Sequence, residues 1–261
     1  MDETLKKQLE ITACKVRLGI LEGVFNAKSG HPGGSLSIAD LLTYLYFAKM
    51  NVYPDKPEEP ERDRLVLSKG HTAPALYATL AEKGFFPKEE LKSLRHIGAM
   101  LQGHPCISIP GVDMSSGSLG QGISVACGMA LSGKLTSDTY KVYTILGDGE
   151  IEEGQVWEAA MFAAHYKLDN LVAVVDNNGL QIDGDISDVC SPYPIDKKFE
   201  AFNFLLWKSD SYPSNILVTA SSSDIFSLEG RVNGSLELLS SNSRSSKAFR
   251  SSSVLSVVLR T

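Results

Sequence analysis

No stretch of the 261-residue sequence approaches the ~20 consecutive apolar residues of a membrane-crossing helix. The opening MDETLKKQLE is charged and amphipathic, and reads as the start of a helix rather than as a signal peptide. Cysteine is scarce: four residues, at 14, 106, 127 and 190, with no C-x-x-C pair. That argues against both a disulfide framework and a zinc site, and fits reduced thiols in a cytoplasmic protein. Basic residues are in deficit, 25 Lys+Arg against 31 Asp+Glu, for a net charge of -6. An acidic balance argues against non-specific binding to nucleic acid and against docking on an anionic membrane.

What is present is globular in character, with 43% hydrophobic residues and 22 Gly. The chain is long enough for one large domain or two small ones. A compositional break falls after residue 203. Residues 1–203 hold 14 Ser, and residues 204–261 hold 17. The first segment is acidic and carries all five His and all four Cys; the second is weakly basic, with no His. The expected organisation is therefore a domain over 1–203 followed by an atypical Ser-rich tail over 204–261, of little order. Such a tail is also what a shifted reading frame produces.

Within 1–203, apolar residues at helical spacing predict a long helix over 3–26. Ser37 and Asp40 suggest a capped start to a helix over 38–50, and Gly84 closes a helix over 73–83. LGQGISVACGMALSG (119–133) carries small residues at helical spacing, as a buried helix would. The clearest unit is KVYTIL (141–146), GDGE, the helical EEGQVWEAAMFAAHY, then LVAVVD (171–176). Strand, helix, strand at that spacing is a right-handed βαβ unit whose strands end at one crevice. The fold class expected is α/β, with three α/β/α layers and a mainly parallel sheet.

The ends of those two strands carry the chemistry. Asp148, between Gly147 and Gly149, places a carboxylate at the sheet's carboxyl edge, and the glycines let backbone N–H groups approach an anion. Asn178, at the end of the second strand, adds an amide oxygen, and the carbonyl of Leu180 is well placed for a third. Hard oxygen donors of this kind suit Mg²⁺ or Ca²⁺ with phosphate and water completing the shell. A lone G-D-G can equally end a strand and cap a helix; the pairing across one βαβ unit favours a metal-bridged diphosphate. A lone histidine is more often a surface or satisfied core residue, but His31, His71 and His104 each sit in a Gly-flanked loop, a setting that favours a functional role.

GDG, 27 intervening residues, then NN resembles the thiamine diphosphate signature. SGHPGG (29–34), LSKGH (67–71), QGHP (102–105), SSGSLGQG (115–122), GDGEIEEG (147–154) and DNNGLQIDGD (176–185) follow in the order of the pyrophosphate-binding domain of transketolases. The resemblance implies thiamine diphosphate and Mg²⁺ (or Ca²⁺) as cofactors, with Asp148, Asn178 and Leu180 ligating the metal. It places Gly149 and the turn Gly117-Ser118-Leu119 on the cofactor; Ser118 stands where the family usually has Pro. It gives His71 the diphosphate and a substrate hydroxyl, and sets His31 and His104 along the channel to the reacting carbon. Glu153 and Glu158 would lie near a dimer interface and connect paired active sites, with Glu153 counted among the catalytic residues beside the three histidines. The chain length suggests the N-terminal subunit of a split enzyme, moving a two-carbon unit between sugar phosphates. A C-terminal, pyrimidine-binding partner would complete the site, in an assembly with two copies of each subunit. Two alternatives remain: a related enzyme such as deoxyxylulose-phosphate synthase, whose first His loop usually lacks the Pro-Gly after His31, and a catalytically dead fragment.

Overall fold

The computed structural model describes residues 2–182, 184–208 and 215–220; most of the Ser-rich tail, 221–261, lies outside the described residues. The amphipathic start forms α1 (Glu3–Ala27), which buries Leu9, Ala13, Val16 and Ile20. The SGHPGGS segment enters a short helix at its proline, α2 (Pro32–Ser37), followed by α3 (Ala39–Tyr44), which runs on as a wider turn to Lys49. β1 (Arg64–Leu67) leads into α4 (Ala73–Lys83), closed by Gly84 in the left-handed conformation. Next come α5 (Gly122–Thr136), β2 (Val142–Gly147), α6 (Gly154–His165) and β3 (Leu171–Asn177). A small ribbon of β4 (Leu180–Gln181) and β5 (Gly184–Asp185) follows, then α7 (Ile186–Val189), α8 (Ile195–Ala201), β6 (Leu205–Lys208) and β7 (Asn215–Ala220).

The sheet order is β1-β2-β3-β7-β6. β1, β2 and β3 are parallel, with Gly147 opposite Asp176 in the β2–β3 register. β7 is antiparallel to β3, and β6 antiparallel to β7. Both antiparallel strands lie past residue 203, so the sheet continues beyond the compositional break.

Alternation along the parallel strands divides the core in two. Leu65, Leu67, Tyr143, Ile145, Val172 and Val174 face α1, α3 and α4. Val66, Val142, Leu146, Ala173 and Val175 face α5, α6 and α8. Helices on both faces explain why these strands read as nearly unbroken apolar runs.

One local expectation is corrected. Ser37 and Asp40 do not cap a helix over 38–50: Ile38 occupies the N-cap of α3 with no side-chain hydrogen bond. Ser37 Oγ instead donates to Asp176 Oδ1 at 2.7 Å, and Asp40 pairs with Arg17 of α1. Bonds to charged groups are about twice as strong as a neutral cap, and the tertiary partners win.

Two glycines of α5 separate packing from propensity. A Cβ on Gly122 would come 2.5 Å from Ser68 Oγ and 2.6 Å from its Cα, whereas one on Gly128 would meet nothing within 4 Å. Gly128→Ala should raise stability by about 1 kcal/mol through helix propensity. Gly122→Ala should lower it by about 2 kcal/mol through overpacking. Urea denaturation of the two variants reads both signs.

Candidate functional site

Three parallel strands end side by side, and each hands a polar group to the same place. Lys69, two residues past β1, is buried at 1% exposure, and Asp176, in β3, is buried at 0%. Lys69 Nζ lies 2.5 Å from Asp176 Oδ2 and reaches the carbonyl of Gly34 at 3.3 Å. Asp176 also accepts from Ser37 Oγ at 2.7 Å and from Asn178 Nδ2 at 3.2 Å. One buried carboxylate thus joins α2, β1, β3 and the turn after β3.

Asp148 occupies the end of β2. Its Oδ1 accepts from Gly149 N at 3.0 Å and its Oδ2 from Gly179 N at 2.7 Å, which ties the GDG turn to the turn after β3. Burial pushes its carboxyl up to about 6, against the pull of those two N–H donors. A bound cation would reverse that push. Asn178 Oδ1 accepts from Leu180 N at 2.9 Å and, as an amide oxygen, keeps a second lone pair. Leu180 is exposed, in β4. The Asp148 carboxylate and the turn that carries Asn178 therefore meet, through the Gly179 N–H. Among the described residues no group of three or more His, Cys, Asp and Glu is arranged to hold a metal. One carboxylate with amide and backbone oxygens is a donor set of a different kind, suited to a hard cation.

Histidines 31, 71 and 104 converge on the same edge. The rings of His31 and His71 lie 5.0 Å apart, edge to face. A Cβ on Gly117 would meet the His104 ring at 3.4 Å, and Tyr77 OH donates to the His104 carbonyl at 2.8 Å, anchoring that loop on α4. Burial first, then the ammonium of Lys69 and the neighbouring imidazoles, lower His71 to about 4. Burial, then Arg95 and His104, lower His31 as well. His71 is a neutral imidazole at pH 7, able to accept a proton on one nitrogen and donate from the other.

The Gly117-Ser118-Leu119 turn is pressed onto the end of β1. Ser116 Oγ donates to the carbonyl of Leu67 at 2.6 Å, and a Cβ on Gly70 would come 2.9 Å from Gly117 N, so only glycine fits there. A cavity of about 210 Å³ opens beside this turn, between Met114–Ser118 and Gln121, Gly122 and Val125; neither Asp148 nor Asn178 lines it. Glu153 belongs to another element. It is exposed at the N-cap of α6, close to Gly120, and Glu158 lies further along the same helix.

Sequence reasoning missed Lys69, Asp176, Ser37 and Glu150. Glu150, 2% exposed, accepts from Ser68 Oγ, Gly120 N and Gly147 N. Lys69 and Asp176 each close an apolar strand run, a signal that was available. The partner of Ser37 lies 139 residues away, and no local pattern reveals it.

Two measurements test this electrostatic picture. Lys69→Met strands Asp176 as a buried, uncompensated charge and should cost about 3–5 kcal/mol in urea denaturation. His71 takes up its proton at 6.5 when unfolded and at about 4 when folded, so its contribution is present above pH 6.5 and is lost as pH falls toward 4. Asp148 works in the opposite sense, favouring the fold most below 3.8 and losing that contribution as pH rises through about 6. His71→Gln should therefore lose less stability than the parent between pH 6.5 and 4, and an NMR titration should show His71 neutral down to about pH 4.

Comparison with known proteins agrees with this arrangement. Residues 9–219 match the family profile described as transketolase, thiamine diphosphate binding domain, sixteen residues past the compositional break at 203. The chain is 47% identical over 196 residues to a subunit of the apulose-4-phosphate transketolase of Phocaeicola vulgatus, covering 75% of this chain and 70% of that one. It is 46% identical over 213 residues to a 6-deoxy-6-sulfo-D-fructose transketolase subunit of Clostridium sp., covering 81% and 78%. Human transketolase is 47% identical over 180 residues, 69% of this chain but 29% of its own length. The transketolase structure from Campylobacter jejuni superimposes with a TM-score of 0.71 at 33% identity, over 77% of this chain and 32% of that one. With its parallel strand ends, its GDG turn and its histidines gathered at one edge, the chain belongs to the transketolase family and matches that family's thiamine diphosphate binding domain.

Proposed function

We propose that this chain binds thiamine diphosphate with Mg²⁺ and, with a C-terminal partner subunit, transfers a two-carbon ketol unit from a ketose phosphate to an aldose phosphate. The observation that carries the reading is the meeting of Asp148 and the Asn178 turn at adjacent strand ends, beside three histidines with two lowered pKa values. The residues fit the group. Asp148, Asn178 and the Leu180 carbonyl offer hard oxygens for Mg²⁺, and the buried, protonation-prone Asp148 is a site that a cation would stabilise. Gly149 and the Gly117–Leu119 turn suit the close approach of a bulky cofactor, the Gly149 N–H itself being given to Asp148. Thiamine diphosphate supplies a carbon acid that serves as nucleophile and electron sink.

The protein's part is to hold, orient and move protons. His71, neutral at pH 7 and beside Lys69, suits a contact to a phosphate oxygen or a sugar hydroxyl. His31 and His104, close to it on neighbouring loops, suit proton exchange with the sugar hydroxyls. Glu153, at the N-cap of α6, and Glu158, one turn further along it, are exposed and suit an interface with a second subunit. A partner is part of the proposal because two relatives are named as subunits of transketolases. The cysteines are free thiols, which suits the cytoplasm. No helix among the described residues is long and apolar enough to cross a membrane.

Calorimetric titration of the full chain with thiamine diphosphate and Mg²⁺, with and without the partner subunit, tests the reading. Saturable, Mg²⁺-dependent heat is expected, weakened at least about 100-fold by Asp148→Ala, since even indirect supports of a metal ligand are worth 10–100-fold. Absence of cofactor-dependent heat in both titrations would replace the enzyme subunit with an inactive fragment.

A further inference from the structure

We propose that Glu150 is a positioning residue, whose carboxylate fixes the distance between the GDG turn and the Gly117–Leu119 turn and so sets the span available to the cofactor. The inference rests on the thiamine diphosphate reading above and deepens it. Glu150 is 2% exposed and lies at the junction of three elements. Its Oε1 accepts from Ser68 Oγ at 2.5 Å, just past β1, and from Gly120 N at 2.9 Å, just past the Gly117–Leu119 turn. Its Oε2 accepts from Gly147 N at 3.0 Å, at the end of β2. Three donors converge on one side chain. Only an ionised carboxylate offers acceptors alone; an amide in its place turns an N–H toward one of these N–H or O–H groups. The Gly117–Leu119 turn is pinned at its other end by Ser116 on the Leu67 carbonyl. The bond from Gly120 to Glu150 ties it to the β2 end, where Asp148 stands two residues away.

A ligand confined to the metal and diphosphate turn would not sense that distance, whereas one reaching both turns would. The full chain is therefore titrated with two probes: thiamine diphosphate with Mg²⁺, and inorganic pyrophosphate with Mn²⁺. Glu150→Gln should weaken the first about 10- to 100-fold, the value of bonds to a buried charged acceptor, and leave the second within about twofold. A merely structural role would weaken both probes alike, and that outcome overturns the inference, as does an unchanged affinity for thiamine diphosphate. Asp148→Asn is titrated in parallel and should weaken both probes. If it weakens neither, or the parent chain binds neither, the cofactor reading fails and this inference with it. Circular dichroism and thermal melting check that Glu150→Gln folds. Should it not, Ser68→Ala removes one donor and leaves the carboxylate. It is expected to weaken thiamine diphosphate about threefold, with pyrophosphate unchanged; equal effects on the two probes would again overturn the proposal.

Discussion

A lysine and an aspartate, both shut off from water, meet where the parallel strands of this protein stop. Burying two opposite charges is expensive, and the cost is offset only when every remaining lone pair and proton finds a partner. Asp176 accepts from Lys69, Ser37 and Asn178, and Lys69 gives two of its three protons to Asp176 and the Gly34 carbonyl. The loops that matter for binding all lean on this arrangement. The histidine loop before α2, the LSKGH loop after β1 and the turn after β3 cannot shift independently while the pair holds. The same ammonium helps to keep His71 neutral, so one interaction settles both the shape of the edge and the protonation of a group on it.

The charged groups sit at the edge because the sheet leaves them nowhere else. Both faces of β1, β2 and β3 are covered by helices, and their side chains are spent on two apolar cores. Polar groups are left to the strand ends, and in a parallel sheet the carboxyl ends gather on one side. Backbone N–H groups of the turns are taken up there by the carboxylates of Asp148 and Glu150, which fix the turns against one another.

Much of this was legible in the amino-acid sequence. The helix of α1, the β2–α6–β3 unit, the glycine stop after α4 and the pairing of Asp148 with the Asn178 turn all follow from local periodicity and turn chemistry. What escaped were contacts between residues far apart in the chain. Ser37 looks like a cap until Asp176 is placed beside it, and Glu150 looks like one more acid in an acidic turn until three donors surround it. β1 is only four residues long, too short for a pattern, and β6 and β7 fall past a compositional break that does not coincide with the edge of the sheet. Local reasoning fails wherever the partner is supplied by the fold.

The order of the strands has a consequence for synthesis. β3 (Leu171–Asn177), apolar as far as Val175, is hydrogen-bonded on one side to β2 and on the other to β7, which begins at Asn215. During translation the first neighbour is already available, while the second arrives only after the intervening ribbon and two short helices have been made. Until then an aliphatic strand offers a bare row of amides and carbonyls to any other nascent chain. A product that stopped short of Asn215 would carry that sticky flank permanently, so its fate would be decided by self-association before any question of ligand arose.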